Sequence, residues 1–195
     1  MYVLRAAAVG AALLVSTASG AQGSGAATPK RHVNASKPVA PATPAASLPE
    51  VKVNEFMSYD PTAKSVALKL YSAHGSANGG LNFNGGSGGS VTITVPLGWS
   101  VSWVFKNEDA IPHSAIVLAN KMPFPAQPQD PAIPRAYTND VTAGLTTGQT
   151  DQTTFKAAPA AQYLVVCGVP GHAPSGMWIH LDVSADAKVP TYATK

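Results

Sequence analysis

The chain has a single cysteine among its 195 residues, and that scarcity removes several classes of protein. No intramolecular disulfide can form. Cysteine-rich zinc modules and cysteine-ligated iron–sulfur clusters, which need several thiolates, are excluded as well. Charged residues make up 12% of the chain, against about 25% in an ordinary globular protein. A solvated helical bundle or a coiled coil needs charged faces that this sequence does not have. No apolar run reaches the roughly 20 residues of a spanning helix. Basic clusters interleaved with aromatics are also missing, which speaks against a nucleic-acid partner. The formal charge of +3 comes from the N-terminal part, where Arg5, Lys30, Arg31 and Lys37 lie. From Glu50 onward there are 9 Lys+Arg against 10 Asp+Glu, a net of −1.

What is present divides into three parts. Residues 1–21 read as a signal peptide: Arg5, a short Ala/Val/Leu run from Ala6 to Val15, then small residues ending at Ala21, with a short membrane anchor as the alternative if the leader stays uncut. Residues 22–49 are rich in Ala, Pro, Ser and Thr and hold almost nothing large and apolar, the composition of a disordered linker. Residues 50–195 carry the folded domain. Its placement is periplasmic or otherwise extracytoplasmic, membrane-associated if the leader is retained.

The domain reads as short β-runs between Gly, Pro and Asn. Strands are predicted at 51–57, 65–71, 81–84, 91–95, 99–106, 113–118, 153–156, 162–167 and 177–183. Val91, Ile93 and Val95 fall on one face, as do Trp99, Val101, Trp103 and Phe105. No stretch has the period of an amphipathic helix. This pattern predicts an all-β domain, a Greek-key β-sandwich. The Pro-rich stretch from Ala119 to Gln152 is then a long insertion loop over one edge or end of the sandwich.

The chemistry is concentrated in Cys167-Gly-Val-Pro-Gly-His172-Ala-Pro-Ser-Gly-Met177, a C-x4-H-x4-M spacing between two predicted strands. The first strand delivers the thiol at its end, in the phase of Tyr163 and Val165. Met177 shares the inward phase of Ile179, Leu181 and Val183. Pro170, Gly171, Pro174 and Gly176 bend the intervening chain back. A thiolate, an imidazole and a thioether on one loop suit copper, and a trigonal site needs a second imidazole. His113 follows Pro112 and opens a predicted apolar strand. His113, Cys167 and His172 in a plane with Met177 as weak axial ligand is the blue-copper arrangement. Taken alone, a strand cysteine is usually a small core residue. In an exported protein an unpaired thiol calls for a reason, and metal ligation supplies one. His32, His74 and His180 read as ordinary surface histidines, His180 in an outward, exposed phase.

Leu81-Asn-Phe-Asn-Gly85, Pro112-His-Ser114 and Cys167 to Trp178 resemble the signatures of the cupredoxins, and among them the sulfocyanins and their relative rusticyanin. The resemblance spans roughly 50–183. It implies a cupredoxin-like domain, one type 1 copper ion cycling between Cu(I) and Cu(II), and ligands at His113, Cys167, His172 and Met177. It implies further that single electrons pass between respiratory-chain partners, a redox donor and acceptor of the cytochrome or terminal-oxidase class. The short leader departs from the membrane anchor of archaeal members. A monomer with no enzymatic activity is expected. Copper nitrite reductases and multicopper oxidases need more histidines than the five here, and a cysteine hydrolase lacks an orienting Asn or Asp. A copper chaperone or storage protein of the cell envelope is the alternative, although the four Met are scattered. Electrons are expected to pass through His172, with Pro170, Ala173 and Pro174 as an apolar docking patch and Ser114 supporting the site.

Overall fold

The computed structural model describes residues 50–128 and 130–195. The leader and the linker, residues 1–49, lie outside the described residues. Ten strands follow in chain order: β1 Val51–Lys52, β2 Met57–Asp60, β3 Ser65–Ser72, β4 Val91–Pro96, β5 Ser100–Asn107, β6 Ile116–Ala119, β7 Thr150–Lys156, β8 Ala161–Val166, β9 Trp178–Ser184 and β10 Thr191–Thr194. One sheet runs β1-β2-β3-β5-β7 and the other β10-β4-β9-β8-β6. Each is mixed: β3 pairs parallel with β5, and β4 parallel with β9. Parallel neighbours require a crossover. The chain makes it by changing sheets, which produces the Greek-key sandwich.

The alternation in sequence sets which faces meet. Val66, Leu68 and Leu70 of β3 and Val101, Trp103 and Phe105 of β5 turn inward from the first sheet. Val91, Ile93 and Val95 of β4 and Ile179, Leu181 and Val183 of β9 turn inward from the second. β8 is buried on both faces. Tyr163 and Val165 enter this main core, while Leu164 and Val166 join Ile116 and Ala173 in a second cluster beneath Phe124, Val141 and Trp178. The long connection between β6 and β7 therefore covers the outer face of the second sheet. Its return leg runs beside β6, with Ala132 N–H donating to Val117 O and Val117 N–H to Ala136 O, and it sinks Ile133 and Ala136 into the main core.

Three predicted strands come out differently. The one at 51–57 breaks at Asn54, whose side-chain oxygen accepts the N–H groups of Phe56 and Met57 and closes a turn. Residues 81–84 form isolated bridges through Phe83 instead of a strand. Asn84 there takes φ of 53°, and its amide satisfies the backbone of β3, accepting from Tyr71 N–H at 2.7 Å and donating to Lys69 O at 2.9 Å. His113 precedes β6 and makes an isolated bridge with Leu145. β10 has no apolar run to announce it. It forms an edge on β4, with Tyr192 packed against the core.

Candidate metal centre

The end of β8, the start of β9 and the segment before β6 meet at one end of the second sheet. Cys167 leaves β8 in the inward phase of Val165. Its N–H donates to Met177 O at 3.1 Å, and Met177 N–H donates to His172 O at 3.0 Å. The loop therefore closes on itself. Asn78 braces it from outside, its amide donating to Ser175 O at 2.9 Å, while Gly88 N–H donates to Gly176 O at 2.8 Å. His113 arrives from the other side, held by Leu145 through N–H to O contacts of 3.1 and 2.7 Å. Gly144 beside it has φ of 76° and no room for a side chain, since a Cβ would fall 2.9 Å from His113 N.

The result is convergence on a buried thiol. His172 Nδ1 lies 3.4 Å from Cys167 Sγ and His113 Nδ1 lies 3.9 Å from it. The three donor atoms all fall within 4.8 Å of one another. A metal at about 2.0 Å from each nitrogen and about 2.3 Å from sulfur, in a trigonal plane, would set nitrogen and sulfur about 3.7 Å apart. The two observed separations bracket that figure, and an imidazole–imidazole–thiolate set is the soft, mixed donor group that copper takes. Met177 is fully buried in the same core cluster as Cys167. His113 and Cys167 are 0% and 1% exposed, whereas His172 is half-buried and is the member that reaches toward solvent.

The surroundings set the charge states. Burial pushes the Cys167 thiol up from its usual range, opposed by the N–H groups of Ser114 and Val169 and by the Ser114 hydroxyl. Burial lowers His172, helped by the neighbouring His113 and opposed by Asp109. Ser114 is fully buried. Its N–H points at Sγ at 3.5 Å, while its hydroxyl donates to Val141 O at 2.6 Å and accepts from Gly168 N–H at 3.0 Å. Gly168 allows that approach, because a Cβ on it would lie 2.3 Å from Val141 Cγ1.

Two carboxamide and carboxylate residues behind His113 went unread in the sequence. Asn107 is buried and donates to Ile111 O and Leu145 O. Asp109 Oδ2 lies 2.9 Å from His113 Nε2. Their run, Asn107-Glu108-Asp109, has the composition of a turn. Ala173 is buried in the second cluster, so of the expected docking patch Pro170 and Pro174 remain exposed in the loop that carries His172, with Gly171 between them. His180 does point outward, but it is half-buried, edge-on to Trp178 at 5.4 Å between ring centres.

A Greek-key sandwich with this cluster at one end defines the cupredoxins, the blue copper proteins of electron transport, whose cofactor is one type 1 copper ion. The sulfocyanin (SoxE) domain family matches residues 52–194. The sulfocyanin of Sulfolobus acidocaldarius is 31% identical over 139 residues, covering 68% of this chain and 70% of that protein. A rusticyanin crystal structure superposes with a TM-score of 0.50 at 22% identity, over 69% of this chain and 86% of its own. Auracyanin A of Chloroflexus aurantiacus, described as a blue copper protein, has a TM-score of 0.44 at 24% identity over 62% of this chain and 99% of its own. The chain belongs to the sulfocyanin family.

Proposed function

We propose that His113, Cys167, His172 and Met177 hold the copper, and that the protein carries single electrons between respiratory-chain redox proteins outside the cytoplasm. The observation that carries the ligand assignment is the approach of two imidazole Nδ1 atoms, at 3.4 and 3.9 Å, to a thiol that is 1% exposed. Bound there, copper supplies the one-electron Cu(II)/Cu(I) couple. The protein residues hold the donors still. Cys167 and Met177 stand at the ends of adjacent antiparallel strands, and His113 is pinned by Leu145. Main-chain N–H groups from Ser114 and Val169 stabilise negative charge on the sulfur. Buried walls keep water off Cys167 and His113.

His172, half-buried and flanked in its loop by the exposed Pro170 and Pro174, is the point of electron entry and exit. A small apolar surface suits a weak, quickly exchanging partner of the cytochrome or terminal-oxidase class. The leader at 1–21 and the linker at 22–49 support export, with a membrane tether if the leader is retained and a monomeric domain at 50–195. Among the described residues a single group of His, Cys, Asp and Glu donors converges. Copper nitrite reductases and multicopper oxidases add a further copper site to such a centre, whereas the match to the sulfocyanin family supports a carrier. The rigid frame and the deeply buried thiol likewise favour a fixed redox site over a storage or delivery site.

The test is the visible and electron paramagnetic resonance spectrum of the chain with one equivalent of Cu(II), beside Cys167→Ser. An intense blue charge-transfer band with narrow copper hyperfine splitting, reversibly bleached by reductant and lost in the variant, is expected. Met177→Leu keeps the band and changes the potential. A pale spectrum that Cys167→Ser leaves unchanged would overturn the assignment.

A further inference from the structure

His113 turns its two ring nitrogens in opposite directions. Nδ1 faces the Cys167 sulfur at 3.9 Å, and Nε2 meets Asp109 Oδ2 at 2.9 Å. An imidazole that gives Nδ1 to a metal carries its hydrogen on Nε2, so this second contact is an N–H donating to a carboxylate. The imidazole is wholly buried while the Asp109 side chain is 24% exposed, so the pair spans the wall of the site. Among the described residues Asp109 is the hydrogen-bond partner at Nε2. The other face of the ring lies against His172, with ring centres 4.9 Å apart, which fixes spacing but not the tautomer.

The carboxylate is itself built in. Asp109 N–H donates to Asn107 Oδ1 at 2.8 Å, and its Oδ1 accepts Ala110 N–H at 2.6 Å. Asn107 is buried and bonded by its amide to Ile111 O and Leu145 O, the two segments that flank His113. Ser72 hydroxyl donates to Asn107 Oδ1 at 2.8 Å from β3. Across the carboxylate lies Gly80, where φ is 92° and an added Cβ would stand 3.1 Å from Oδ2. The neighbouring carboxylate, Glu108, points elsewhere, to His74 Nδ1 and Lys106 Nζ at 3.1 Å each. Two adjacent acidic residues thus have separate destinations, and only one of them reaches the site.

We propose that Asp109 is a positioning residue of the copper centre, fixing the tautomer and orientation of His113 and placing a negative charge behind it that favours the oxidised metal. The proposal rests on the assignment of His113 as a ligand. The physical ground is general: a carboxylate on the far nitrogen of a metal-bound histidine orients the ring and raises its basicity, and its loss typically costs about 10–100-fold in metal affinity. A fixed anion also opposes reduction, because it stabilises the form of higher positive charge.

Three variants of the full chain separate these effects. Asp109→Asn keeps the shape and an acceptor oxygen while removing the charge, and Asp109→Ala removes both. Glu108→Gln removes a neighbouring charge that does not touch His113. Each is read by potentiometric titration, by visible and paramagnetic resonance spectra, by copper competition against a chelator, and by the His113 Nε2–H nitrogen and proton resonances of the Cu(I) form. Expected is a higher potential for Asp109→Asn, with a displaced His113 Nε2–H resonance. Copper retention in Asp109→Ala falls about 10–100-fold, and Glu108→Gln changes each quantity much less. If Asp109→Ala does not fold, the near-isosteric Asp109→Asn decides. A blue wild-type protein in which Asp109→Asn shifts potential and resonance no more than Glu108→Gln overturns this proposal alone. A wild-type protein with no blue band overturns the ligand assignment and this proposal with it.

Discussion

Ser114→Ala is the most informative single change, because Ser114 joins three segments without being a ligand. Its hydroxyl donates to Val141 O at 2.6 Å in the long connection and accepts Gly168 N–H at 3.0 Å from the ligand loop. A net hydrogen bond contributes about 0.5–1.5 kcal/mol, and a buried partner left unpaired costs about 1–3 kcal/mol. Ser114 is fully buried and Gly168 is buried too, so water cannot readily replace the lost oxygen. Two bonds lost with one partner stranded sum to about 3 kcal/mol. In a domain of this size each kcal/mol lowers Tm by about 2–4 °C, giving a fall on the order of 10 °C.

Apo protein melted by circular dichroism, with urea titration beside it, measures this fall. The denaturant slope is expected to stay constant, since no extra surface is exposed. Hydrogen exchange at the Gly168 amide should accelerate. The blue band, in contrast, should persist, because the closer Ser114 group on the Cys167 sulfur is the main-chain N–H at 3.5 Å, which alanine retains, while the hydroxyl stands at 3.9 Å. A Tm loss under about 2 °C, with Gly168 protection unchanged, would show that the hydroxyl bonds carry no stability and that the reasoning from burial is wrong.

Two further outcomes follow from the same frame. Asn84→Ala removes both amide bonds to β3 and places alanine at φ of 53°; a loss of about 2–3 kcal/mol is expected by urea denaturation, and Asn84→Gly should lose less than Asn84→Ala if backbone strain contributes. Copper uptake should be pH-dependent with a worked sign: burial holds the apo Cys167 thiol protonated at neutral pH, so binding releases one proton and affinity rises about tenfold per pH unit there. His172 has its pKa lowered by burial, so it stays neutral further into acid than an exposed histidine. The His172 contribution to the slope should therefore enter below the ordinary histidine range, and for the same reason His172 lowers apo stability as pH drops through that range, where the unfolded chain binds the proton first. A competition titration from pH 5 to 8 checks it, and a flat profile would refute the proton count.

The sequence made the strand interiors legible because each side of the sandwich is apolar at every second residue. The inward phases of β3, β4, β5 and β9 follow directly from that period. The C-x4-H-x4-M spacing was legible for a similar reason, since all its members sit within one turn of chain. What escaped were partners set by distance along the chain. Nothing near His113 announces Leu145, and nothing near Ser114 announces Val141. Leu81 to Asn84 looked like a strand because Leu81 and Phe83 alternate with asparagines. The asparagine amides instead bond to main-chain groups, those of β3 through Asn84 and those of Ala77 and Gly85 through Asn82. Asp109 sat in a run whose composition explains a turn, so its second task left no separate mark.

These long-range partners bear on the electron-transfer role proposed for the site. A redox centre moves little on changing charge only if its donors are fixed by neighbours that do not depend on the metal. Here the ligand loop is tied by Asn78 and Gly88 on one flank and through Gly168 and Ser114 to Val141 on another. His113 is tied independently by Leu145 in the backbone and Asp109 at the ring. These restraints come from three stretches of chain, 78–88, 107–114 and 141–145, and none of them includes Cys167, His172 or Met177. The long Pro-rich connection is therefore part of the centre's frame. Its far end covers the outer sheet face with Phe124 while its near end supplies Val141 and Leu145. A C-x4-H-x4-M hairpin removed from this frame would keep three donor types and lose the fixed spacing that lets one geometry serve both oxidation states.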